Sequence, residues 1–192
     1  MVSVVIVNWN GKALLGECLE GLRRQIYRNF SVTVVDNGSD DGSAAFVSEQ
    51  YPEVRIMALP DNRGFAAANN LALRTIDTEF VALLNNDAVP DPHWLKSLVE
   101  ALEGHPQAGL AASKMLLYDR QGIIDRSGDG YTKAGAALLR GRGLPAESHG
   151  VREWVFGACA AAALYRTAML RRIGLFDETF PCCEDYELWL RA

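Results

Sequence analysis

Carboxylate and amide side chains stand directly after apolar runs at several points of this sequence. Asp36 ends the run SVTVVD, where its carboxylate can accept a hydrogen bond from a heterocyclic base or a sugar hydroxyl, or can cap a turn. Asn85, Asn86 and Asp87 close the run FVALL, and an acidic residue there can hold a divalent cation through oxygen, or can close a turn. Spacing alone leaves both interpretations open at each position.

Two adjacent carboxylates, Glu184 and Asp185, begin a helical pattern near the end of the sequence. A carboxylate in such a pair can act as a general base that removes a proton from a hydroxyl nucleophile. Acidic residues also favour the first turn of any helix, because they interact well with the positive end of its dipole. The pair therefore has a catalytic and a structural interpretation.

Five further polar or aromatic residues lie in or beside predicted helices and strands. Arg63 precedes a helical pattern that contains Asn69, and an arginine at a helix N-terminus can bind an anion or remain solvated. Trp9 stands between Asn8 and Asn10 after the first apolar run, where its ring can pack on a planar base or on neighbouring side chains. The choice between a binding role and a structural role at these positions depends on where the predicted helices and strands place them.

Familiar phosphate-binding and hydrolytic signatures are missing from the sequence. Gly11-Lys12 lacks the upstream glycine and the following Ser or Thr of a P-loop, and no G-x-G-x-x-G follows the first predicted strand. No H-E-x-x-H segment and no G-x-S-x-G elbow occurs either. A nucleotide site in this chain must therefore use another design.

Short β-rich runs alternate with helical patterns through the first half of the chain. The predicted strands are Val2–Val7, Ser31–Asp36, Val54–Leu59 and Phe80–Asn85, and the predicted helices cover residues 14–26, 39–50, 65–76 and 91–102. Asp91 and Pro92 are the expected N-cap and first residue of the last helix. Asp40 or Asp41 is the expected cap of the second.

This alternation predicts a parallel sheet with helices on both faces. Polar loops follow the carboxyl ends of the predicted strands, with the sequences NWNG, DNGSDDGS, DNRG and NNDAVPD. Ligands of open α/β sheets bind at those ends. The sequence therefore predicts an α/β fold with its site at that edge of the sheet.

The second half of the chain is less regular. Glycine-rich segments between Gly122 and Gly150 predict loops and short strands. The apolar run WVFGACAAAALY, residues 154–165, predicts one more buried strand, and Thr167–Ile173 predicts a helix that Gly174 ends. The final pattern EDYELWLRA stops after two turns, which indicates a truncated or an unusually short chain.

Length and composition bound the class of protein. The 192 residues suit one domain, and 49% hydrophobic residues suffice for a sizeable core. A net charge of −5 does not favour general binding of nucleic acid. The twelve-residue run at 154–165 is shorter than the ~20 residues of a membrane span, and no signal peptide is evident. The four cysteines have no metal-ligand spacing, so we expect reduced thiols in a cytoplasmic protein.

Six segments in order together resemble family 2 glycosyltransferases, and the bacterial rhamnosyltransferase-like branch in particular. They are VSVVIVNWNG, VVDNGSDDGS, NRGFAAANN, LLNNDA, FGACAAAALYR with GLFDETF, and EDYELWLR, which span nearly the whole chain. The resemblance implies the GT-A fold, a Rossmann-like three-layer α/β sandwich with a mainly parallel central sheet. It also implies a single domain, with a donor-binding half at residues 1–90 and an acceptor half at 91–192 that ends early.

The resemblance assigns roles to individual positions of this sequence. The implied donor-site and substrate-binding residues are Asn8, Trp9, Asn10, Asp36, Arg63, Asn69, Asn85, Asn86, Gly157 and Ala158. Asp87 matches the last position of the family's D-x-D segment, in which asparagine here replaces the first aspartate, and becomes the metal ligand for Mg²⁺ or Mn²⁺. Asp185 matches the catalytic base, with Glu184 beside it.

The implied reaction is inverting transfer of a sugar from a dTDP- or UDP-sugar, such as dTDP-rhamnose, to an acceptor hydroxyl. The implied acceptor is a carbohydrate or lipid-linked molecule of cell-surface synthesis, which adds the inner face of the membrane as a location. Two alternatives remain at this stage. One is a nucleotide-sugar-binding domain or fragment without catalysis. The other is a nucleotidyltransferase, which NWNGK disfavours because it has a single glycine.

Overall fold

The computed structural model describes residues 1–180 and 182–192, which form ten strands and six α-helices. The strands are β1 (Val2–Asn8), β2 (Phe30–Asp36), β3 (Arg55–Ala58), β4 (Phe80–Leu84), β5 (Leu110–Ala112), β6 (Lys114–Leu117), β7 (Arg120–Ser127), β8 (Asp129–Tyr131), β9 (Ala137–Leu139) and β10 (Ala162–Arg166). The helices are α1 (Lys12–Arg23), α2 (Ser43–Gln50), α3 (Phe65–Leu73), α4 (Trp94–Glu103), α5 (Thr167–Ile173) and α6 (Glu184–Arg191).

A six-stranded sheet in the order β3-β2-β1-β4-β10-β5 forms the centre of the fold. β1 pairs in parallel with β2 on one side and with β4 on the other, and β2 pairs in parallel with β3. β10 is antiparallel to both of its neighbours, β4 and β5. The predicted α/β fold with a mainly parallel sheet is confirmed.

Helices cover both faces of this sheet. Val4 and Ile6 of β1 pack with α1, α2 and α4, whereas Val5, between them, packs with α3, α5 and α6. This alternation follows from the two-residue period of a strand. All five residues of β4 are buried, which explains why its sequence is apolar without alternation. The result is the three-layer arrangement expected from the sequence.

The predicted strand at residues 154–165 is wrong in its first part. Only Ala162–Arg166 form β10, and Trp154 and Phe156 are 64% and 48% exposed. The physical reason is a competing pairing, because Gly157 forms an isolated antiparallel bridge with Asp129 at the start of β8. The first half of the apolar run therefore lies against the second-half hairpins and does not enter the central sheet.

Several helix boundaries also differ from the prediction, among them the end of α1 and the start of α4. α1 ends at Arg23, and Ile26 lies beyond it with 44% exposure. α4 begins at Trp94, later than expected, because Asp91 and Trp94 are joined by a tight turn. The carboxylate of Asp91 accepts from the His93 amide at 2.8 Å, so Asp91 caps this turn and not the helix itself.

Two small antiparallel hairpins follow the sheet's fifth strand in sequence. β6 pairs with β7 and β8 pairs with β9, as the glycine-rich composition indicated. Gly128 joins β7 to β8 at φ +77°, a conformation that favours glycine. A short 3₁₀ turn, Ala146–His149, precedes the segment that leads to Gly157.

Within residues 1–180 and 182–192, no helix has the length and apolar character needed to cross a membrane. The four cysteines are free thiols, as expected. Cys18 is buried in α1, where burial and the charge of Asp87 raise the pKa of its thiol to about 12.

Candidate active site

A polar network lies where the parallel strands end. Asn8 and Asp36 are register partners at the ends of β1 and β2, and both are buried. The amide of Asn8 donates to Asp36 Oδ1 and to Ser39 Oγ, at 3.3 Å in each case. Asn86, after β4, donates to Asn8 Oδ1 at 2.8 Å. Three strand ends that are far apart in sequence therefore meet in one network.

The loop after β1 is fixed against the loop after β2. Asn10 has φ +50°, its amide donates to Ser39 Oγ at 2.9 Å, and its side-chain oxygen accepts from the Asp40 amide at 2.9 Å. Trp9, beside it, is 56% exposed. The indole ring is therefore available to a ligand at the strand ends.

Arg63 is placed by a second buried asparagine. Asn37 follows β2, and its side-chain oxygen accepts from the Arg63 amide at 2.9 Å. The guanidinium of Arg63 is exposed and lies 3.4 Å from Asp61. Asn69, by contrast, is buried in α3 and donates to the Phe65 carbonyl of the same helix. The structure brings Arg63 to the strand-end loops, whereas the described hydrogen bond of Asn69 lies within α3.

The backbone of the 85–87 loop is held by hydrogen bonds at Asn85, whereas its last residue, Asp87, is exposed to solvent. The Cys18 thiol donates to the Asn85 carbonyl at 3.4 Å, and the Asn85 amide donates to the Ala161 carbonyl at 2.8 Å. Asp87, two residues on, is exposed. Its carboxylate is therefore exposed to solvent three residues after the end of a buried strand.

The donor set at this loop suits a cation that a ligand helps to hold. Among the described residues no group of three or more His, Cys, Asp or Glu side chains could hold a metal ion alone. Asp87 supplies one exposed carboxylate. The neighbouring Asn86 uses its side-chain nitrogen to donate to Asn8, so its side-chain oxygen takes no part in that hydrogen bond. Mg²⁺ and similar hard cations are commonly held by one or two carboxylates, water and substrate phosphates. The residues present fit that mode of binding.

Asp185 begins the last helix as a half-buried carboxylate. It accepts from the Ala160 amide at 3.4 Å and from the Tyr186 amide at 2.9 Å. Burial is the main cause that raises the pKa of Asp185, and the two amides and the charge of Arg126 act against it. Burial also raises the pKa of Glu184, with a smaller contribution from the charge of Asp185. A proton acceptor with a raised pKa suits general base catalysis near neutral pH.

One backbone segment joins the acid pair to the strand ends. Ala160 contacts Asp185, and the next residue, Ala161, accepts from the Asn85 amide. Asp87 also lines an open groove of about 1970 Å³ together with Arg126, Cys159 and Trp189 of the second half. The 85–87 loop and Asp185 are thus linked through the adjacent residues Ala160 and Ala161.

Gly157 and Ala158 lie next to this segment. The Gly157 amide and carbonyl both pair with the backbone of Asp129, and a side chain at Gly157 would overlap the ring of Trp189. Ala158 is fully buried. Both residues therefore shape the site through their backbone and their small size.

The structure adds residues that sequence reasoning missed. Arg126 and Asp129 flank the β7–β8 turn, and their charges act on Asp185 or are acted on by it. The Tyr186 hydroxyl is buried beside them. The local signal was the run DRSGD, in which two acids and a base surround a turn glycine. Nothing in that run indicates that it lies near α6, because its position there depends on the Asp129–Gly157 bridge, and Gly157 lies against Trp189 of α6.

Comparison with known proteins is consistent with this geometry. A family model described as glycosyl transferase family 2 matches residues 3–174. A pre-mycofactocin glycosyltransferase of Mycobacterium tuberculosis is 33% identical over 180 residues, which cover 89% of this chain and 36% of that protein. The O-antigen biosynthesis protein RfbC of Myxococcus xanthus is 29% identical over 202 residues, covering 99% of this chain and 16% of that one.

Solved structures share the fold at low sequence identity. The structure of S. aureus TarS 1-349 in complex with UDP-GlcNAc has a TM-score of 0.73 and 22% identity, and the match covers 100% of this chain and 52% of that one. The mannosyltransferase PcManGT from Pyrobaculum calidifontis, in complex with GDP-Man and Mn²⁺, has a TM-score of 0.71 and 22% identity over 97% of this chain and 50% of that one. These matches confirm the GT-A fold predicted from the sequence.

The chain is short beside these proteins. It spans 20%, 31% and 36% of the length of the first curated relatives that it matches.

Proposed function

The chain belongs to glycosyltransferase family 2, and from that premise we propose that it transfers a sugar from a nucleotide-diphosphate sugar to an acceptor hydroxyl, with inversion at the anomeric carbon. The observation that carries the proposal is the double contact of the Ala160–Ala161 segment. It holds the carboxylate of Asp185 on one side and the loop of Asn85, Asn86 and Asp87 on the other. A base and a diphosphate site placed side by side are what such a transfer requires.

Asp185 acts as the general base in this proposal. It removes the proton from the acceptor hydroxyl while that oxygen attacks the anomeric carbon from the face opposite the diphosphate. The new carbon–oxygen bond forms as the bond to the diphosphate oxygen breaks, and its electron pair leaves on the diphosphate. General base catalysis contributes ~10²–10⁴-fold. Positioning and electrostatic stabilisation supply the rest.

Asp36, Asn8 and Trp9 hold the nucleoside at the strand ends. Asp36 accepts from the base or the ribose, and the exposed ring of Trp9 packs on the base. Asn10 and Arg63 complete the surrounding loops, and the Arg63 guanidinium faces the negative charge of the donor. Buried asparagines fix these loops before the ligand arrives, so that little ordering is needed on binding.

Asp87, with the side-chain oxygen of Asn86, is the place for Mg²⁺ or Mn²⁺. A cation bound there would neutralise the charge that develops on the leaving diphosphate. The complex of the archaeal mannosyltransferase with GDP-Man and Mn²⁺ supports this assignment by analogy.

The finer assignments follow the resemblance found in the sequence. We propose a dTDP- or UDP-sugar donor, with dTDP-rhamnose as the first to test, and a carbohydrate or lipid-linked acceptor of cell-surface synthesis at the inner face of the membrane. The likeness to an O-antigen biosynthesis protein supports that acceptor class. Residues 1–90 form the donor half of one domain and residues 91–192 the acceptor half.

The first test is isothermal titration of the chain with UDP, dTDP and GDP, each with Mn²⁺ and with EDTA. We expect metal-dependent binding that Asp87→Ala abolishes. Asp91→Ala is the matched control, since Asp91 is an exposed aspartate of the same connecting segment that caps a turn. Loss of binding in both variants, or binding of every nucleotide without metal, would contradict the metal role of Asp87.

The second test is sugar transfer with the nucleotide that binds. Asp185→Asn is expected to lower turnover by ~10²–10⁴-fold and to leave nucleotide binding unchanged. Transfer that survives this substitution would refute the base assignment. Nucleotide binding without transfer to any acceptor would instead favour a binding domain without catalysis.

A further inference from the structure

Two stacked aromatic rings, those of Tyr131 and Phe156, are exposed in the second half of the chain. Their centroids are 5.8 Å apart and their planes differ by 16°. Tyr131 ends β8 and Phe156 directly precedes Gly157, so the antiparallel bridge between Asp129 and Gly157 brings the two rings together. Tyr131 is 38% exposed and Phe156 is 48% exposed. Adjoining apolar side chains that remain exposed indicate a surface that binds a ligand or a partner.

Phe156 is held in place by the last helix. Its ring meets the ring of Trp189 edge to face, with centroids 6.4 Å apart and planes at 87°. Trp189 is buried and packs in turn on the ring of Tyr186, with centroids 4.3 Å apart. Gly157 permits this approach, because a side chain there would overlap the Trp189 ring. Phe156 is therefore supported by two neighbouring rings, and nearly half of its surface stays open.

The ring that supports Phe156 shares one face of α6 with Asp185. Trp189 follows Asp185 by four residues, a spacing that places both side chains on the same side of a helix. The segment that begins with Phe156 also reaches Asp185, because the Ala160 amide donates to its carboxylate at 3.4 Å. Phe156 lines the same open groove as Asp87, where the diphosphate is proposed to bind. The exposed rings thus adjoin the proposed base and the proposed donor site.

Resting on the proposed function, we propose that Tyr131 and Phe156 form an acceptor platform, on which a pyranose ring of the acceptor stacks while one of its hydroxyls reaches Asp185. One face of a pyranose carries mainly C–H groups and is apolar. The partial positive charge on those hydrogens is attracted to the negative face of an aromatic ring. The group that accepts the transferred sugar is then itself a sugar hydroxyl.

Polar side chains beside the platform favour a sugar over a hydrocarbon chain. Glu153, His149 and Asp125 line the groove together with Phe156. Glu153 pairs with Arg140 at 2.7 Å and lies 3.7 Å from His149, so its carboxylate is already fixed in position. Ligand sites combine apolar and aromatic walls with a few polar groups that set the orientation. Sugar hydroxyls can bond to these polar groups, whereas a hydrocarbon chain would leave them unpaired.

The test measures the binding of the methyl pyranosides of D-glucose, D-galactose, D-mannose and L-rhamnose by saturation-transfer difference NMR. The full chain is used with Mg²⁺ and UDP or dTDP, and again without nucleotide, and 1-hexanol is the probe that is not a sugar. Irradiation of the aromatic protons of the chain is expected to saturate the ring C–H protons of at least one pyranoside. Its dissociation constant follows from titration.

Phe156→Leu and Tyr131→Leu keep an apolar side chain but remove a ring, and each is expected to weaken pyranoside binding about tenfold. Tyr131→Phe keeps the ring and should bind as the parent does. Trp154→Leu is the matched control, because Trp154 is 64% exposed in the same segment but packs its ring against His105, with centroids 5.4 Å apart. It should also bind as the parent does.

Three results would overturn the proposal. They are no binding of any of the pyranosides, equal weakening in Trp154→Leu, and tighter binding of 1-hexanol than of every pyranoside. Undiminished binding in Phe156→Leu would overturn it as well. If Phe156→Leu does not fold, the comparison of Tyr131→Leu with Tyr131→Phe decides the matter.

The binding measurement needs no sugar transfer, so it separates this proposal from the proposed function. Pyranoside binding through the rings in a chain that transfers no sugar would retain the platform and refute the transfer activity. If transfer is observed, Phe156→Leu should raise the KM for the acceptor about tenfold and leave nucleotide affinity unchanged. Transfer with an unchanged acceptor KM in that variant would refute the platform and retain the activity.

Discussion

At the scale of single residues, the burial of Asp185 links the chemistry of the site to the stability of the chain. The pKa of Asp185 is raised in the folded state, so the folded chain holds this proton to higher pH than the unfolded chain does. Stability therefore falls as pH rises from the unfolded pKa through the folded one, and the penalty is complete above it. Asp185→Asn is expected to unfold at a higher temperature than the parent at pH 8, with a difference that vanishes in acid.

Asp177→Asn provides the control with the opposite sign. The Thr179 side chain and amide hold the pKa of Asp177 below its usual value, so this carboxylate stabilises the fold above its unfolded pKa. Its asparagine variant should be the less stable one at pH 8 and should approach the parent as pH falls. Thermal unfolding of the three proteins from about pH 2 to pH 8 makes the comparison, and differences from the parent that stay constant over this whole range in both variants would contradict the linkage.

A second residue-scale prediction concerns Gly11, at the start of α1. A methyl group there would overlap the Asn86 amide and lie 2.8 Å from Asn8 Oδ1, inside the strand-end network. Gly11→Ala is expected to break the Asn86–Asn8 hydrogen bond and to weaken nucleotide binding at least tenfold, which is about 1.4 kcal/mol. Calorimetric titration with the nucleotide that the parent binds provides the measurement.

Gly16→Ala, one turn later in the same helix, is the control. Its new methyl group would meet the Phe46 ring at 3.4 Å, an ordinary contact. Alanine in a helix interior is favoured over glycine by about 0.5–1 kcal/mol, so this variant should be more stable and should bind normally. Equal binding by both variants would show that the network does not hold the nucleotide.

At the scale of elements, the strands and helices that follow from a local sequence pattern could be predicted, whereas those that depend on pairing between distant segments could not. β1, β2 and β4 could be predicted because strands buried on both faces are apolar throughout, and α3 because its apolar face repeats at helical spacing. The run at 154–165 has the same composition as those strands, yet its first half pairs elsewhere. Composition reports burial and does not identify the pairing partner, which only tertiary contacts decide.

The segment between α5 and α6 is held by Asn70 of α3. Its amide donates to the Phe176 carbonyl at 2.8 Å, and the Phe176 amide donates to Asn70 Oδ1 at 3.1 Å, with both groups buried. Asn70→Ala leaves two buried backbone groups unpaired, each worth about 1–3 kcal/mol. We expect a loss of that order in the free energy of unfolding, measured by urea denaturation.

Arg74→Ala tests whether this loss is specific to the buried contact. Arg74 directly follows α3, one turn after Asn70, and pairs with Glu178 at 2.8 Å, but its side chain is 56% exposed. Exposed ion pairs contribute about 0–1 kcal/mol, so this variant should remain close to the parent. If it loses as much as Asn70→Ala, the exposed pair and not the asparagine holds the segment.

At the scale of the whole molecule, the site has two parts. The order of strands and helices along the chain determines where the strand-end residues meet, but it does not determine how the β7–β8 turn and α6 pack together. Parallel strands place all their carboxyl ends on one edge, so the meeting of Asn8, Asp36 and Asn86 follows from the strand pattern alone. The approach of Asp129 and Arg126 to Asp185 requires two hairpins, the Gly157 bridge and α6 to dock together. No local periodicity encodes that docking, which is why the resemblance and not the spacing indicated Asp185.

The docking of α6 provides a prediction about the molecule as a whole. Arg191, in its last turn, donates to the Ile173 carbonyl at 2.6 Å and to the Leu175 carbonyl at 2.7 Å, and thereby ties the helix to the end of α5. Arg191→Ala is expected to loosen α6 and the position of Asp185 at its other end, while the donor edge keeps its own contacts. Amide hydrogen exchange should accelerate in α6, and sugar transfer should fall, with nucleotide affinity within a factor of about two of the parent.

Arg28→Ala is the matched control, because the Arg28 side chain also donates to a backbone carbonyl, that of Arg23, but Arg28 is exposed and lies beyond the end of α1. Its exchange pattern and transfer rate should equal those of the parent. Loss of nucleotide binding in Arg191→Ala would mean that the two halves of the site do not act separately. The donor edge would then depend on the docking of α6, and the proposed division at residues 1–90 and 91–192 would be wrong.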